Sequence, residues 1–192
     1  MKYPQFWSEA SPRRKRIYST AFILLIAILA TVAGMFVQLP PQEAQIIYEQ
    51  LNKTSSSPNL ATDIVINNFS LCLLMFIPLV GLFIGLFILF STGMAFRAVF
   101  DIQAANGLGS SAVSASNLTA TTAILMLILI GVVFILEYVS YTVAMTESVW
   151  LFRRLLQRRW SELKITVALI GLVALLLIIG AIVESFTIKL PV

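Results

Sequence analysis

Histidine is absent from the 192 residues, and cysteine occurs once, at Cys72. Haem, zinc, copper and iron–sulfur sites draw on imidazole or clustered thiolate ligands, and a serine or cysteine nucleophile usually needs a neighbouring imidazole. The chain is therefore read as a non-enzyme with no metal and no cofactor. Cys72 lies inside an apolar run and is expected to be a small buried hydrophobe, which says nothing about redox compartment. Charge is scarce as well, at 11% of residues. Nothing in the chain has the composition of a separate soluble domain.

What is present is hydrocarbon. Hydrophobic residues make up 59% and the mean hydropathy is +0.93, far from globular usage. This is the composition of an integral membrane protein. A span takes about 20 apolar residues, so this length holds four or five. The expected fold is all-α: a polytopic transmembrane helical bundle of about five spans, with a kinked or re-entrant middle segment and a short external amphipathic helix. The net charge of +4 resides in bases beside apolar segments, where anionic lipid headgroups are the expected partner and nucleic acid is not.

Residues 1–16 read as a cytoplasmic basic segment, with Phe6 and Trp7 as aromatic anchors and Arg13, Arg14, Lys15 and Arg16 as the positive-inside flank of an apolar run over residues 17–37. That run is too long for a secretory signal core and no small-x-small cleavage site follows it, so it is read as a retained span. The remainder, 17–192, reads as a single membrane domain. Residues 38–63 form its external loop, in which Pro40-Pro41 opens a helical stretch with Ile46, Ile47 and Leu51 at helical spacing. Asn52-Lys53-Thr54 is a glycosylation sequon on that accessible surface; Asn68-Phe69-Ser70 and Asn117-Leu118-Thr119 match the same pattern within membrane or cytoplasmic positions.

The apolar block over residues 64–100 is short for two spans and long for one. It contains Pro78, Gly81, Gly85 and Gly93, which kink helices or let them pack closely. Gly81 and Gly85 form a small-xxx-small step suited to packing inside the chain or to dimerisation. Arg97 and Asp101 lie one turn apart and can neutralise each other. Residues 104–117, rich in Gly, Ser, Ala and Asn, read as a loop or re-entrant turn.

A further apolar stretch from residue 119 to about 152 ends in a basic cytoplasmic loop, 153–164, carrying Arg153, Arg154, Arg158 and Arg159 between Trp150 and Trp160. These arginines and Arg13, Arg14, Lys15 and Arg16 are the expected lipid-headgroup ligands, and residues 150–164 suit an amphipathic helix on the membrane surface. A cytoplasmic N-terminus, one outward span and one inward span bring the chain inside near Arg97, and the basic loop belongs inside too, so an even number of crossings separates them. Either residues 119–152 form a tight pair of short spans, or they form one long helix and the 64–100 block crosses twice. The last span, 165–188, then leaves the C-terminus external in a multi-pass protein of the cell membrane.

Two glutamates sit in these apolar runs. Glu137 follows the unbroken stretch 123–136, and Glu184 lies within 165–188. A lone charge at the bilayer centre costs about 3 kcal/mol on insertion scales, so each must face protein or water, pair, or stay protonated. On a helix Glu137 shares a face with Tyr141, Ala144 and Ser148, and Glu184 with Leu177, Gly180 and Ala181. Three roles fit: hydrogen bonds across helices to Tyr138, Tyr141 or a threonine; a polar path for a cation, a proton or an amine-bearing substrate; or pairing with Arg97.

Four segments taken in order resemble the stage II sporulation protein M family (DUF95): Asn67-Asn68-Phe69, Thr92-Gly93-Met94-Ala95, Leu136-Glu137, and Ala181 to Phe186 with Glu184 inside it. The resemblance covers about two-thirds of the chain, residues 64–187. The family's asparagine–glycine step is Thr92-Gly93 here, and its histidine–glycine is Val133-Phe134. The resemblance implies an integral membrane scaffold or accessory subunit of a larger membrane or cell-envelope complex, with other membrane proteins as partners in a hetero- or homo-oligomer. The alternative from the residues themselves is a small transporter or channel using Glu137 and Glu184. The candidate functional side chains are Glu137, Glu184, Tyr141, Asn67, Asn68 and Arg97.

Overall fold

A computed structural model describes residues 9–105, 120–160 and 163–189. These residues form six helices: α1 Pro12–Met35, α2 Pro41–Ser55, α3 Leu60–Met75, α4 Val80–Ala105, α5 Ala120–Leu156 and α6 Leu163–Lys189. No strand occurs among the described residues. Segments Pro12–Met35, Val80–Ala105, Ile124–Leu156 and Leu163–Ile188 are long and apolar enough to cross a membrane. The molecule is a helical membrane protein.

Local chemistry starts and stops these helices. Ser11 caps α1 by accepting the Arg14 amide at 3.4 Å, and Pro12 occupies the first turn, where its missing N–H costs nothing. Pro41 does the same for α2. The 64–100 block is divided at residues 76–79, with Pro78 in the break and Leu79 in the left-handed region at φ 64°. Residues 120–152, by contrast, belong to one unbroken helix, residue 119 lying outside the described residues. Of the two arrangements parity allowed, the structure has the long α5 with the middle block split into α3 and α4.

The break is held by α5. Ser148 Oγ donates to the Ile77 carbonyl at 2.6 Å, and the Leu79 amide donates to the Ser148 carbonyl at 3.3 Å. Backbone groups released where the helix stops are thus satisfied inside protein, as a hydrocarbon surrounding requires. α1 and α4 approach most closely at Gly34 and Gly93: a Cβ on Gly93 would collide with the Thr31 carbonyl, and one on Gly34 with that of Phe90. The Gly81 and Gly85 step packs within the chain, Gly81 on the Met75 backbone and Gly85 on the Met145 side chain. The core joins Ile23 and Ala27 of α1, Cys72 and Met75 of α3, Leu89 of α4 and Met145 of α5. Cys72 is fully buried, as the sequence suggests.

Two expectations change here. Residues 150–156 do not form a separate surface helix; they are the last turns of α5, which ends in a turn where Arg158 has φ 53°. The reason is Arg154, whose side chain turns inward and ties the end of α5 to α6. Residues 104 and 105 close α4, and the rest of the expected re-entrant turn, 106–117, lies outside the described residues. The middle segment is kinked at Pro78.

Candidate functional site

The faces inferred for the two glutamates are the faces the bundle uses. Tyr141, Ala144 and Ser148 are buried on α5, and Leu177, Gly180 and Ala181 on α6. Glu137 and Glu184 are themselves half-buried. Both line one open cavity of about 860 Å³, walled by α2, α3, α4, α5 and α6.

Its deeper wall carries Glu137, Tyr138 and Tyr141 from α5, Glu184 from α6, Asn68 from α3 and Thr92 from α4. Lys53, Ser57 and Asp63 stand at its rim, at the end of the bundle where α2 lies, opposite the arginine-rich end of α1 and α5. Asn68 Nδ2 donates to Glu137 Oε1 at 2.5 Å. Beside this pair the Tyr138 hydroxyl and Thr31 Oγ1 lie 2.6 Å apart, joining α1 to α5, and Thr31 also donates to the Ala27 carbonyl at 3.1 Å. Phe134 stacks on Tyr138 with ring centroids 3.9 Å apart. Glu184 Oε2 is buried and has no hydrogen-bond partner among the described residues. Three carboxylates and one ammonium line the cavity, which favours a cation.

Five of the six candidate side chains, Glu137, Glu184, Tyr141, Asn67 and Asn68, thus share the cavity. The sixth does not: Arg97 pairs with Asp101 of its own helix at 2.8 Å, so its charge is already balanced one turn away. Neither glutamate pairs with it. Side chains from all four segments that carry the family resemblance, at Asn67, Asn68, Thr92, Glu137 and Glu184, line this one space.

A second buried polar cluster lies at the arginine-rich end. Glu147 is 1% exposed and Arg154 3%. Arg154 Nη1 donates to Glu147 Oε1 at 2.5 Å and to Thr166 Oγ1 at 3.0 Å, and the Thr166 hydroxyl donates to Glu147 Oε1 at 2.7 Å. Arg16 approaches the other carboxylate oxygen at 3.7 Å. Arg154 is therefore no headgroup ligand, because its charge is spent inside the protein; Arg13, Arg14, Arg153, Arg158 and Arg159 are exposed, and Lys15 and Arg16 are half-buried. The seven-residue spacing of Glu147 and Arg154, two turns on one helix face, is the signal from which this pair was legible. Reading residues 153–164 as one basic run hid it.

Among the described residues no cluster of three or more acidic or thiol side chains is arranged to hold a metal ion. No family model matches the chain, and neither a curated protein nor a solved structure matches it.

Proposed function

We propose that this chain is a five-span protein of the cell membrane that binds a small cation or amine-bearing molecule in the cavity between α2, α3, α4, α5 and α6, and serves as a small transporter rather than an enzyme. The observation that carries the reading is Glu184 Oε2, a buried carboxylate oxygen without a partner among the described residues, beside a second carboxylate in the same cavity. Burying such a group unpaired is costly, and a bound cation removes the cost. In this reading α3 is the fifth crossing; its 16 residues reach about 24 Å, short of a core about 30 Å thick, which brings the cavity mouth at its start below the outer surface. The arginines at the start of α1 and the end of α5 support an N-terminus in the cytoplasm in this reading, with the cavity mouth and C-terminus outside.

The test is flux of sodium, potassium and methylammonium into proteoliposomes carrying the wild type, Glu137→Gln or Glu184→Gln. Glutamine keeps hydrogen bonding and removes the charge. The expected outcome is a folded protein with flux lowered at least about tenfold by Glu184→Gln, the loss of one charge-assisted contact. Flux unchanged in both variants would sink the reading.

A second reading is favoured by the meeting of all four family-like segments around one cavity: a scaffold resembling stage II sporulation protein M, with the cavity receiving a basic side chain of a membrane partner. Co-purification from native membranes separates the two. A stoichiometric partner lost in Glu184→Gln, without flux in the wild type, selects the scaffold.

A further inference from the structure

The arginine-rich end of the bundle holds more positive charge than its own carboxylate absorbs. Arg16, Arg153 and Arg154 gather around Glu147 and Trp150. Glu147 is engaged by Arg154 at 2.5 Å and by the Thr166 hydroxyl at 2.7 Å, whereas Arg16 stands at 3.7 Å. The remaining charge is displayed on one indole. The Arg16 guanidinium carbon lies 5.4 Å from the centroid of the Trp150 ring and that of Arg153 5.8 Å from it. Cation–π contact holds each guanidinium by its face and leaves N–H donors at its edge to meet an oxyanion such as a phosphate. Two like charges on one ring repel, and an anion bridging them reverses the sign of that interaction.

Trp150 also begins an apolar groove of about 320 Å³, walled by Phe22 and Ile26 of α1, Leu82 and Leu86 of α4 and Val149 of α5. From Tyr18, at the same end, to Ile26 the groove follows nine residues of α1, roughly 12 Å of helix axis. A paired cation at a membrane edge with an indole at headgroup level, opening into a narrow apolar trough, matches one chemistry in both parts: a phosphate carrying an acyl chain.

We infer that Arg16, Trp150 and Arg153 form a site for an anionic phospholipid, its phosphate bridging the two guanidinium groups and one acyl chain lying in the groove. Glu147 limits how far Arg16 can swing away, and the groove between α1, α4 and α5 orients the chain. Arg13 and Arg14, exposed at the start of α1, are neither on the indole nor in the groove, so they supply attraction without a defined seat.

The full chain in mild detergent, examined by native mass spectrometry with dioleoylphosphatidylglycerol titrated against dioleoylphosphatidylcholine, tests this. The wild type is expected to retain phosphatidylglycerol in preference. Arg16→Gln with Arg153→Gln is expected to weaken that retention about ten- to thirty-fold, the worth of two arginines at a charged surface. Arg13→Gln with Arg14→Gln removes the same formal charge and is expected to weaken it by less than about threefold, since exposed charges are screened. Leu86→Trp fills the groove and is expected to lower retention with all charges in place. Where the double glutamine variant does not fold, Arg16→Lys with Arg153→Lys keeps both charges but loses the planar fork; a drop of about threefold or more supports the site, and unchanged retention overturns it. Equal loss in the Arg13/Arg14 and Arg16/Arg153 variants, or equal binding of the two lipids by the wild type, overturns it as well.

Discussion

At the scale of single residues, the chain keeps its buried charges at two levels of α5, and they are handled differently. Glu147 is neutralised by Arg154 and held by Thr166. Removing one member of a buried pair leaves the other uncompensated, so Arg154→Gln is expected to destabilise the fold by about 3–5 kcal/mol, whereas Glu147→Gln with Arg154→Gln costs much less. Unfolding in a titration of denaturing detergent measures both; equal losses in the single and double variants would refute the pairing. Glu137 has Asn68 on one oxygen, and Glu184 has one oxygen with no partner among the described residues. The first cluster has the character of a closed structural device and the second of an open seat. That contrast, rather than the presence of acids in apolar runs, is what separates a binding reading from a packing one.

At the scale of elements, the break between α3 and α4 is the clearest case of a local rule overridden by packing. Leu79 adopts φ 64° although its Cβ disfavours it. The left-handed conformation costs a non-glycine residue about 1–2 kcal/mol, so Leu79→Gly is expected to stabilise the protein by about 1 kcal/mol, less the glycine's greater freedom when unfolded. A loss of stability would mean that the half-exposed Leu79 side chain packs more firmly than its exposure suggests. The crossing of α1 and α4 makes the opposite demand. Gly34 and Gly93 leave no room for a side chain between the two backbones, and Gly93→Val is expected to cost about 1–3 kcal/mol by forcing the helices apart. Thermal unfolding of both variants in one detergent checks the two signs together. Pro78, Gly81, Gly85 and Gly93 were legible as breakers and close-packing sites. Which of them would end a helix was not, because proline and glycine mark weak points while the partner that satisfies the freed backbone, here Ser148, is distant in sequence.

At the scale of the whole molecule, the cavity and the arginine-rich cluster lie at opposite ends of the bundle, so orientation decides which side each serves. Cys72 is fully buried, which leaves the native chain silent toward a membrane-impermeant maleimide. Single cysteines at Asn59 and Gln157 are expected to react from opposite faces of sealed vesicles, Asn59 from outside the cell and Gln157 from the cytoplasm. Labelling of both from one face would remove α3 from the set of crossings and would relocate the cavity mouth. The packing of five helices around the cavity brings five of the six candidate residues together and leaves Arg97 aside. An ionisable group in a long apolar run must find shelter, whatever the fold, but Arg97 had a partner one turn away and so had no need of the cavity.

Composition alone determined that this protein is helical and lives in a membrane, because hydrocarbon admits no other way to satisfy so many backbone groups in runs this apolar. Periodicity and the placement of Glu137 and Glu184 determined which helix faces turn inward, since a carboxylate cannot be left against acyl chains. Only the tertiary structure decided that α5 is one helix and the middle block two, that Arg154 turns into the protein instead of toward lipid, and that Asn68, Thr92, Glu137 and Glu184 converge. Those outcomes rest on pairings such as Arg154–Thr166, Asn68–Glu137 and Ser148–Ile77, which are 12, 69 and 71 positions apart, and the order of residues along a chain carries no distance information of that kind until the helices pack.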